Sequence, residues 1–342
     1  MKILIIFFSA FLVFNEGYAI QSDKLMMNNI DYLHSAPPSF KSKLIQATLG
    51  LFGLKKKMEK KMITNGFAKD PAKLPGSLLQ DFNARKTEQN GRKVWTISPI
   101  DNTADLVILY LHGGAYLGNI SKEHWRLIEQ LLNKTGATIV VPDYPLAPEA
   151  TCKETYFFIG DLYTKLTADF PAKRIVFMGD SAGGGLAFGF LQQLRNENKK
   201  QPDQIIIFSP WLDVTMSNPD IVLIDKEDKM LSVRGLKNAG LKYAGDLDLK
   251  DYRLSPIYGD LTGMCRISIF TSTKDILNPD AHKCKQLMKD QHVIFNYFEY
   301  PKMFHDWVIF TSLKESRDVI NKVYKLVSER ETSFSQRTGS GS

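Results

Sequence analysis

The sequence predicts an α/β fold in which a mostly parallel sheet is flanked by helices on both faces. From about Lys93 onward, short strands that are almost continuously apolar alternate with helical stretches. Apolar strands of this kind are typical of strands buried on both faces, and the alternation is typical of a parallel sheet. The chain has 342 residues, of which 44% are hydrophobic. That is enough for one sizeable core.

Seven strands are predicted, most of them rich in β-branched or aromatic residues. They are Val94–Ile97, Leu106–Leu111, Thr138–Val141, Arg174–Met178, Ile205–Phe208, Ile267–Phe270 and Val293–Tyr300. Helices are predicted around His124–Lys134, Thr155–Asp169, Gly184–Asn196, Ala281–Lys289 and Leu313–Val327. These elements indicate one α/β domain over residues 81–331.

The N-terminus has the features of an export signal. Lys2 is followed by an apolar run from Ile3 to Phe14 and then by small residues up to Ala19. A charged start, a short apolar stretch and a small-residue cleavage site are typical of a signal peptide over residues 1–19. The run is shorter than the ~20 residues that a membrane-spanning helix needs. We therefore expect cleavage after Ala19 and a periplasmic or secreted protein, with an uncleaved membrane anchor as the alternative.

Two segments are predicted to form a lid over the domain. The first is the N-terminal segment 20–80, in which residues 42–62 show apolar residues at roughly helical spacing and end in a lysine-rich stretch. It is interpreted either as a helix on a membrane surface or, preferably, as a lid helix whose apolar face covers the core, because its glycines weaken a free-standing helix. The second is the polar insertion 216–250. Residues 332–342 are predicted to be a flexible tail.

Composition excludes several classes of protein. The net charge of +7 is small for this length, and no nucleic-acid motif is found, so a weak contact with anionic membrane surfaces is the most it indicates. The three cysteines, Cys152, Cys265 and Cys284, are odd in number and do not have zinc-site spacing. We expect no essential disulfide, no metal and no cofactor, and the oligomeric state is left open.

A nucleophile turn is predicted where the strand Arg174–Met178 runs into Gly179-Asp180-Ser181-Ala182-Gly183. This is a G-x-S-x-G pattern between a strand and a helix, which projects the serine hydroxyl at the helix N-terminus. A nucleotide-binding turn is the alternative, but no G-x-G-x-x-G or phosphate-loop lysine accompanies it. We therefore interpret Ser181 as a nucleophile.

The turn His112-Gly113-Gly114-Ala115-Tyr116 follows the strand Leu106–Leu111 and is predicted to bind an oxyanion. An oxyanion needs two or three backbone N–H donors that point to one place, and glycines let the backbone approach closely. Gly113 and Gly114 are the expected donors, together with Ala182, and His112 is expected to be structural.

His305 and Asp275 are the predicted base and acid. His305 lies in the loop after the last predicted strand, and Asp275 lies in the loop after the strand before it, which gives the order serine, acid, histidine. Asp280 falls too far into the following helix, and Asp306, adjacent to His305, is expected to point elsewhere. Because the base must be neutral, kcat/KM is expected to rise with pH through about 6–7.

With these residues placed, the sequence resembles the hormone-sensitive-lipase-like (class IV) esterase and lipase family of the α/β-hydrolase superfamily. The matching motifs are His112-Gly113-Gly114, Asp143-Tyr144-Pro145-Leu146-Ala147-Pro148-Glu149, Gly179-Asp180-Ser181-Ala182-Gly183, Ser209-Pro210-Trp211-Leu212-Asp213, Asp275 and His305. The resemblance implies an α/β-hydrolase fold, hydrolysis of carboxylic esters without metal or cofactor, and a lid. The sequence departs from the family at Ala115, in place of a third glycine, at Pro145, in place of a common arginine, and at Asp306-Trp307, in place of Gly-Phe.

The predicted function is hydrolysis of short-to-medium acyl esters by a serine enzyme that forms an acyl-enzyme. The short acyl chain is favoured by the family resemblance and by a lid with little evident apolar surface. A serine peptidase or amidase on the same fold is the alternative enzyme, and a non-catalytic ligand-binding protein is the alternative of another class.

Overall fold

The computed structural model of the chain describes residues 29–101 and 103–329. The predicted signal peptide (1–19) and tail (332–342) lie outside the described residues and stay predictions. Within the described ranges, no helix is long and apolar enough to cross a membrane. These residues form a nine-stranded sheet with helices on both faces, which confirms the predicted fold class.

The sheet is parallel over most of its width. Its strands are Ile30–Leu33 (β1), Phe82–Gln89 (β2), Arg92–Pro99 (β3), Leu106–Leu111 (β4), Thr138–Pro142 (β5), Arg174–Asp180 (β6), Gln204–Phe208 (β7), Arg266–Ser272 (β8) and Phe295–Tyr300 (β9). In space they follow the order β1-β9-β8-β7-β6-β4-β5-β3-β2. Only the pairs β2–β3 and β3–β5 are antiparallel. Each parallel crossover needs a long connection, so helices separate the strands from β4 to β9 in the sequence.

The α-helices of the described residues are Phe40–Leu51 (α1), Leu54–Thr64 (α2), Gly76–Gln80 (α3), Lys122–Thr135 (α4), Cys152–Asp169 (α5), Ser181–Asn196 (α6), Ile221–Asp225 (α7), Val233–Ala244 (α8), Asn278–Asp290 (α9) and Lys314–Ser328 (α10). Short 3₁₀ helices cover Pro256–Tyr258 and Trp307–Ile309. The seven predicted strands and the five predicted helices of the domain are all present, with bounds shifted by a few residues.

The central strands bury side chains on both faces. In β4, Val107 and Leu109 belong to one apolar cluster, whereas Ile108 and Tyr110 belong to the other. Because successive side chains of a strand point to opposite faces, the sheet separates two cores. Helices α5, α6 and α9 cover one core, and α4 and α10 cover the other.

The sequence did not predict two strands, β1 and β2. β1 is only four residues long, and β2 is an edge strand whose polar side chains are mostly exposed. The sequence does contain one signal for β2, since the turn-forming pair Asn90-Gly91 separates it from β3. Both residues have positive φ, 48° and 74°, as the two-residue turn of a β-hairpin requires.

The N-terminal segment forms two helices where the sequence predicts one over 42–62. α1 ends at Leu51, and Gly53, with φ of 59°, begins α2 from the left-handed conformation. Glycine adopts this conformation without a steric penalty. The interruption therefore falls at the glycine that was expected to weaken the helix.

The insertion 216–250 is partly helical, as predicted, and it packs against α2. Lys242 Nζ of α8 donates hydrogen bonds to the carbonyl oxygens of Met62, at 2.6 Å, and Ile63, at 2.8 Å. A cation is favourable at these terminal helix carbonyls because it satisfies them and complements the helix dipole. The two segments predicted to form the lid thus contact each other directly.

Candidate active site

The predicted site residues follow the ends of strands at one edge of the sheet. His112 follows β4, Ser181 follows β6, Asp275 follows β8 and His305 follows β9. These strands are parallel, so their carboxyl ends meet at the same edge, where open α/β sheets bind ligands. The topology therefore assembles residues that are far apart in the sequence.

The turn from β6 into α6 holds Ser181 in an unusual backbone conformation. Its φ of 50° lies in the left-handed region, which the surrounding structure must enforce in a non-glycine residue. A Cβ on Gly183 would lie 2.0 Å from the carbonyl oxygen of Leu111, so only glycine allows α6 to approach β4 this closely. The Ser181 side chain is thereby fixed at the N-terminus of α6, where the helix dipole favours negative charge.

Ser181, His305 and Asp275 form one continuous chain of hydrogen-bond contacts. His305 Nε2 lies 3.0 Å from Ser181 Oγ, and His305 Nδ1 lies 3.0 Å from Asp275 Oδ2. The other carboxylate oxygen of Asp275 accepts a hydrogen bond from the N–H of Leu277 at 2.9 Å. All three side chains are buried. The structure therefore brings together the three residues that the sequence predicts to be catalytic.

A second buried carboxylate, Asp228 of the insertion, holds the loop of Asp275. Asp228 Oδ2 accepts a hydrogen bond from the N–H of Ile276 at 2.9 Å, and its Oδ1 accepts one from the N–H of Leu231 at 2.8 Å. Burial, together with the charge of Asp275, raises the pKa of Asp228 to about 6. No sequence pattern distinguishes Asp228 among the acidic residues of the insertion, so its role is visible only in the structure.

Asp180, which precedes the nucleophile, organises the glycine turn from a fully buried position. Its Oδ1 accepts a hydrogen bond from Tyr110 Oη at 2.6 Å. Its Oδ2 accepts one from the N–H of Gly113 at 2.9 Å and lies 3.0 Å from His124 Nε2. Burial alone would raise the pKa of Asp180, but the charge of His124 and the hydrogen bonds outweigh burial and lower the pKa. This pairing matters because an unpaired buried carboxylate is costly.

The predicted set of oxyanion donors needs one correction. The N–H of Gly113 donates to Asp180, so it is not available to an oxyanion. Gly114, with φ of 126°, and Ala115, with φ of 56°, continue the turn. Within the described residues, their N–H groups have no hydrogen-bond acceptor. Ala182 lies in the first turn of α6, where N–H groups lack a helical partner. The N–H groups that remain available to a ligand are therefore those of Gly114, Ala115 and Ala182.

Asp306 also faces the imidazole, contrary to the expectation that it points elsewhere. Its Oδ2 lies 3.1 Å from His305 Nε2, the same nitrogen that contacts Ser181. Asp306 has a left-handed φ of 53°, a conformation that aspartate tolerates better than most residues. Its N–H donates to Ser209 Oγ at 3.3 Å. This local backbone conformation brings the carboxylate onto the ring of its neighbour.

The two carboxylates together favour the charged form of His305. Burial alone would lower the pKa of His305, but the charges of Asp275 and Asp306 outweigh burial and raise the pKa well above its usual value. Burial in turn raises the pKa of Asp306 to about 6. An ionised Asp306 beside Nε2 stabilises the imidazolium and opposes the neutral form of His305.

His112 is structural, as the sequence predicts. Its ring stacks on Tyr144 with a centroid distance of 4.4 Å, and Tyr144 Oη donates to the carbonyl oxygen of His112 at 2.5 Å. Burial, assisted by the nearby His124, lowers the pKa of His112 to about 4. His112 therefore stays neutral and supports the turn through packing.

The arrangement contains the groups that nucleophilic acyl transfer requires. A hydroxyl contacts a base, the base contacts an orienting carboxylate, and backbone N–H donors lie in the adjoining turns. Among residues 29–101 and 103–329, no cluster of three or more His, Cys, Asp or Glu side chains is arranged to hold a metal ion.

A family model described as the alpha/beta hydrolase fold matches residues 108–309. The match begins within β4 and ends just after His305, so it includes the glycine turn, the nucleophile turn and the acid and base loops. It covers more than half of the chain.

The chain is also similar to individual proteins. An esterase of Acinetobacter venetianus is 29% identical over 213 residues, which are 61% of this chain and 70% of the relative. A triacylglycerol lipase of Mycobacterium tuberculosis is 28% identical over 242 residues, which are 70% of this chain and 50% of the relative. The crystal structure of an esterase candidate from Staphylococcus aureus superimposes with a TM-score of 0.74 at 31% identity, over 80% of this chain and 92% of that one.

The packing of the glycine turn gives a prediction about stability. In Gly113→Ala, the new Cβ would lie 2.2 Å from Asp180 Oδ2 and 3.1 Å from Ser181 Cβ. We expect the free energy of unfolding to fall by roughly 1–3 kcal/mol, as overpacking does. Gly160→Ala is the matched control, because no atom lies within 4 Å of its Cβ position. Urea unfolding of both variants measures their free energies of unfolding. If Gly113→Ala were as stable as wild type, the turn would have room to relax around the new Cβ.

Proposed function

The chain belongs to the alpha/beta hydrolase family whose model matches residues 108–309, and on this premise we propose that it is a serine carboxylic ester hydrolase that works through an acyl-enzyme. The observation that carries the proposal is the contact chain from Ser181 through His305 to Asp275, with both distances 3.0 Å. The similarity to esterases and a lipase supports a small-molecule ester as the substrate.

In the proposed acylation step, His305 acts as the general base. Its neutral Nε2 accepts the proton of Ser181 Oγ as the oxygen attacks the ester carbonyl. Asp275 holds the Nδ1–H and stabilises the imidazolium that forms. The imidazolium then gives its proton to the leaving alcohol, which leaves the acyl group on Ser181.

The N–H groups of Gly114, Ala115 and Ala182 are proposed to hold the oxyanion of the tetrahedral intermediate. Backbone donors that are fixed before the reaction stabilise charge that develops during it. The buried Asp180 supports this arrangement, because it fixes the turn through Gly113. In the second step, His305 activates a water molecule that attacks the acyl carbonyl, and Ser181 is regenerated.

We propose that the acyl group of the ester substrate is short to medium in length. The structural support for this differs from the argument made from the sequence. The N-terminal segment is not poor in apolar surface, because Phe40 is 82% exposed and Leu51 is 84% exposed. The support comes instead from Tyr116, which stacks on Tyr243 and Trp211 with centroid distances of 3.8 and 5.5 Å. The N–H of Trp211 donates to the carbonyl of Ser181 at 2.9 Å, which ties the cluster to the backbone of the proposed nucleophile, and we propose that the cluster limits the length of the acyl group.

We also propose export of the mature chain, which rests on the sequence of residues 1–19 alone. The pattern of a charged residue, a short apolar run and small residues supports cleavage after Ala19. The N-terminal sequence of the protein recovered from the source cell distinguishes Ile20 from Met1 as the first residue.

Replacement of the nucleophile tests the proposed function. Ser181→Ala should reduce kcat for p-nitrophenyl butyrate by on the order of a million-fold, because the residue that forms the acyl-enzyme is lost. Circular dichroism should show an unchanged fold. Ser312→Ala, an exposed position, is the control. Activity above ~1% of wild type in Ser181→Ala would refute the assignment, since the remaining groups alone do not give such rates.

The contact of Asp306 with the base gives a second prediction. The base must be neutral, and Asp306 favours its charged form, so Asp306→Asn should lower the midpoint of the kcat/KM pH profile. A shift of about one unit or more toward acid is expected for loss of a charge at this distance. Wild type itself should have its midpoint above the usual histidine value, because the pKa of His305 is raised.

Asp280→Asn is the matched control for this profile. Asp280 is a buried carboxylate whose pKa is raised to about 7, chiefly by burial, and its Oδ1 accepts a hydrogen bond from Asn218 at 3.0 Å rather than contacting His305. Its replacement should leave the midpoint in place. An unchanged midpoint in Asp306→Asn would show that the Asp306 carboxylate does not control the base.

A further inference from the structure

Helix α1 presents an apolar stripe to solvent. Phe40, Leu44 and Leu51 are spaced four and seven residues apart, so they share one face of the helix. They are 82%, 55% and 84% exposed, and the following Phe52 is 64% exposed. Single exposed apolar residues are ordinary, but a continuous stripe marks a surface that binds another apolar phase.

The opposite side of α1 rests on the loop that carries the proposed base. The buried Ser42 contacts Met303 Sδ through its hydroxyl at 3.1 Å, and Gln46 donates to the carbonyl of Lys302 at 3.0 Å. The same side of α1 carries Ile45 and Leu49, which pack against the apolar core. α1 therefore covers the core with these two residues, while the stripe of Phe40, Leu44 and Leu51 is directed away from the domain.

The insertion adds apolar residues in the same region. Val222 and Leu223 of α7 are 66% and 75% exposed. α7 is held beside the start of α2 by the ion pair of Lys55 with Asp225, at 2.8 Å. We define the basic apolar face as the exposed apolar residues of α1, Phe52, Val222 and Leu223, together with the lysines of residues 40–64.

Residues 40–64, which contain the lysines of this face, carry most of the excess positive charge of the chain. Residues 40–64 contain seven lysines and one glutamate, a net charge of +6, whereas the whole chain has a net charge of +7. Lys56, Lys57 and Lys60 are exposed to solvent. Apolar side chains flanked by lysines are the combination that binds an anionic lipid surface, where both burial and charge attraction contribute.

We propose that the basic apolar face docks onto the surface of an anionic lipid bilayer. A second copy of the chain is disfavoured as the occupant, because two faces that each expose several lysines would repel each other. Because α1 lies on the loop of His305, docking would place the site next to the lipid surface. Docking itself does not depend on the proposed function. The expected substrates do: for an ester hydrolase docked in this way, they are esters carried in the lipid surface.

Vesicle binding of the mature chain, which begins at Ile20 in the proposed processing, tests the proposal. Vesicles of phosphatidylcholine with about 30 mol% phosphatidylglycerol are compared with pure phosphatidylcholine vesicles, because the anionic lipid supplies the charge attraction. Wild type should bind the anionic vesicles at least ten times more tightly. Binding should weaken at least tenfold in 0.5 M salt, which screens exposed charges.

Two double variants separate the two contributions. Phe40→Ser with Leu51→Ser removes the most exposed apolar residues of the stripe, and Lys56→Glu with Lys57→Glu reverses two exposed charges. Each should weaken binding to anionic vesicles at least tenfold. The matched controls are Phe157→Ser, which removes an apolar side chain that is 67% exposed, and Lys165→Glu, both on α5. The controls should bind like wild type, and since every variant keeps residues 20–28, binding by that segment cancels from the comparison.

The outcomes are distinct. Wild-type affinity in both double variants, or equal binding to neutral vesicles, would overturn the proposal. A concentration-dependent dimer in size exclusion that the Phe40→Ser, Leu51→Ser variant abolishes, without vesicle binding by wild type, would assign the face to a second copy instead. Hydrolysis of soluble p-nitrophenyl butyrate should be the same in all variants. Vesicle binding by a wild type that hydrolyses no ester would support docking and refute the proposed function.

Discussion

The contact between Ser181 Oγ and His305 Nε2 is the interaction on which the rest of the site depends. It joins residues 124 positions apart, at 3.0 Å, and both are buried. The contact is possible because β6 to β9 run side by side in parallel, so their carboxyl ends open at one edge. The strained backbone of Ser181 and the close packing at Gly183 then set the height of the hydroxyl above that edge.

The same meeting of loops at the strand ends also places several carboxylates around the buried imidazole of His305. Asp275 contacts one ring nitrogen and Asp306 the other, and Asp228 holds the loop that carries Asp275. Asp180 lies beyond Asp306 and is paired with His124. A low-dielectric site with several carboxylates stabilises a cation. The protein therefore favours the imidazolium that the proposed mechanism forms, and in return needs a higher pH to keep the base neutral.

The fold and the triad were predictable from sequence because they rest on local patterns: apolar strands, a glycine-flanked serine, and the order of the acid and the base. The remaining features depend on contacts between distant segments. The N–H of Gly113 is diverted by Asp180, a pairing that no spacing reveals. The orientation of Asp306 follows from its φ, and the role of Asp228 follows from how the insertion packs. Helical spacing in α1 does not tell which of its apolar residues the protein covers: Ile45 and Leu49 pack against the core, whereas Phe40 and Leu44 face solvent.

The central claim is that the buried contact with the base makes Ser181 the nucleophile. A fluorophosphonate tests it directly, because an activated serine oxygen displaces fluoride and keeps the phosphonyl group covalently. Peptide mapping by mass spectrometry should find one adduct per chain, on Ser181, and none after His305→Ala. An adduct on another residue of the folded protein, or undiminished labelling of Ser181 without His305, would contradict the account.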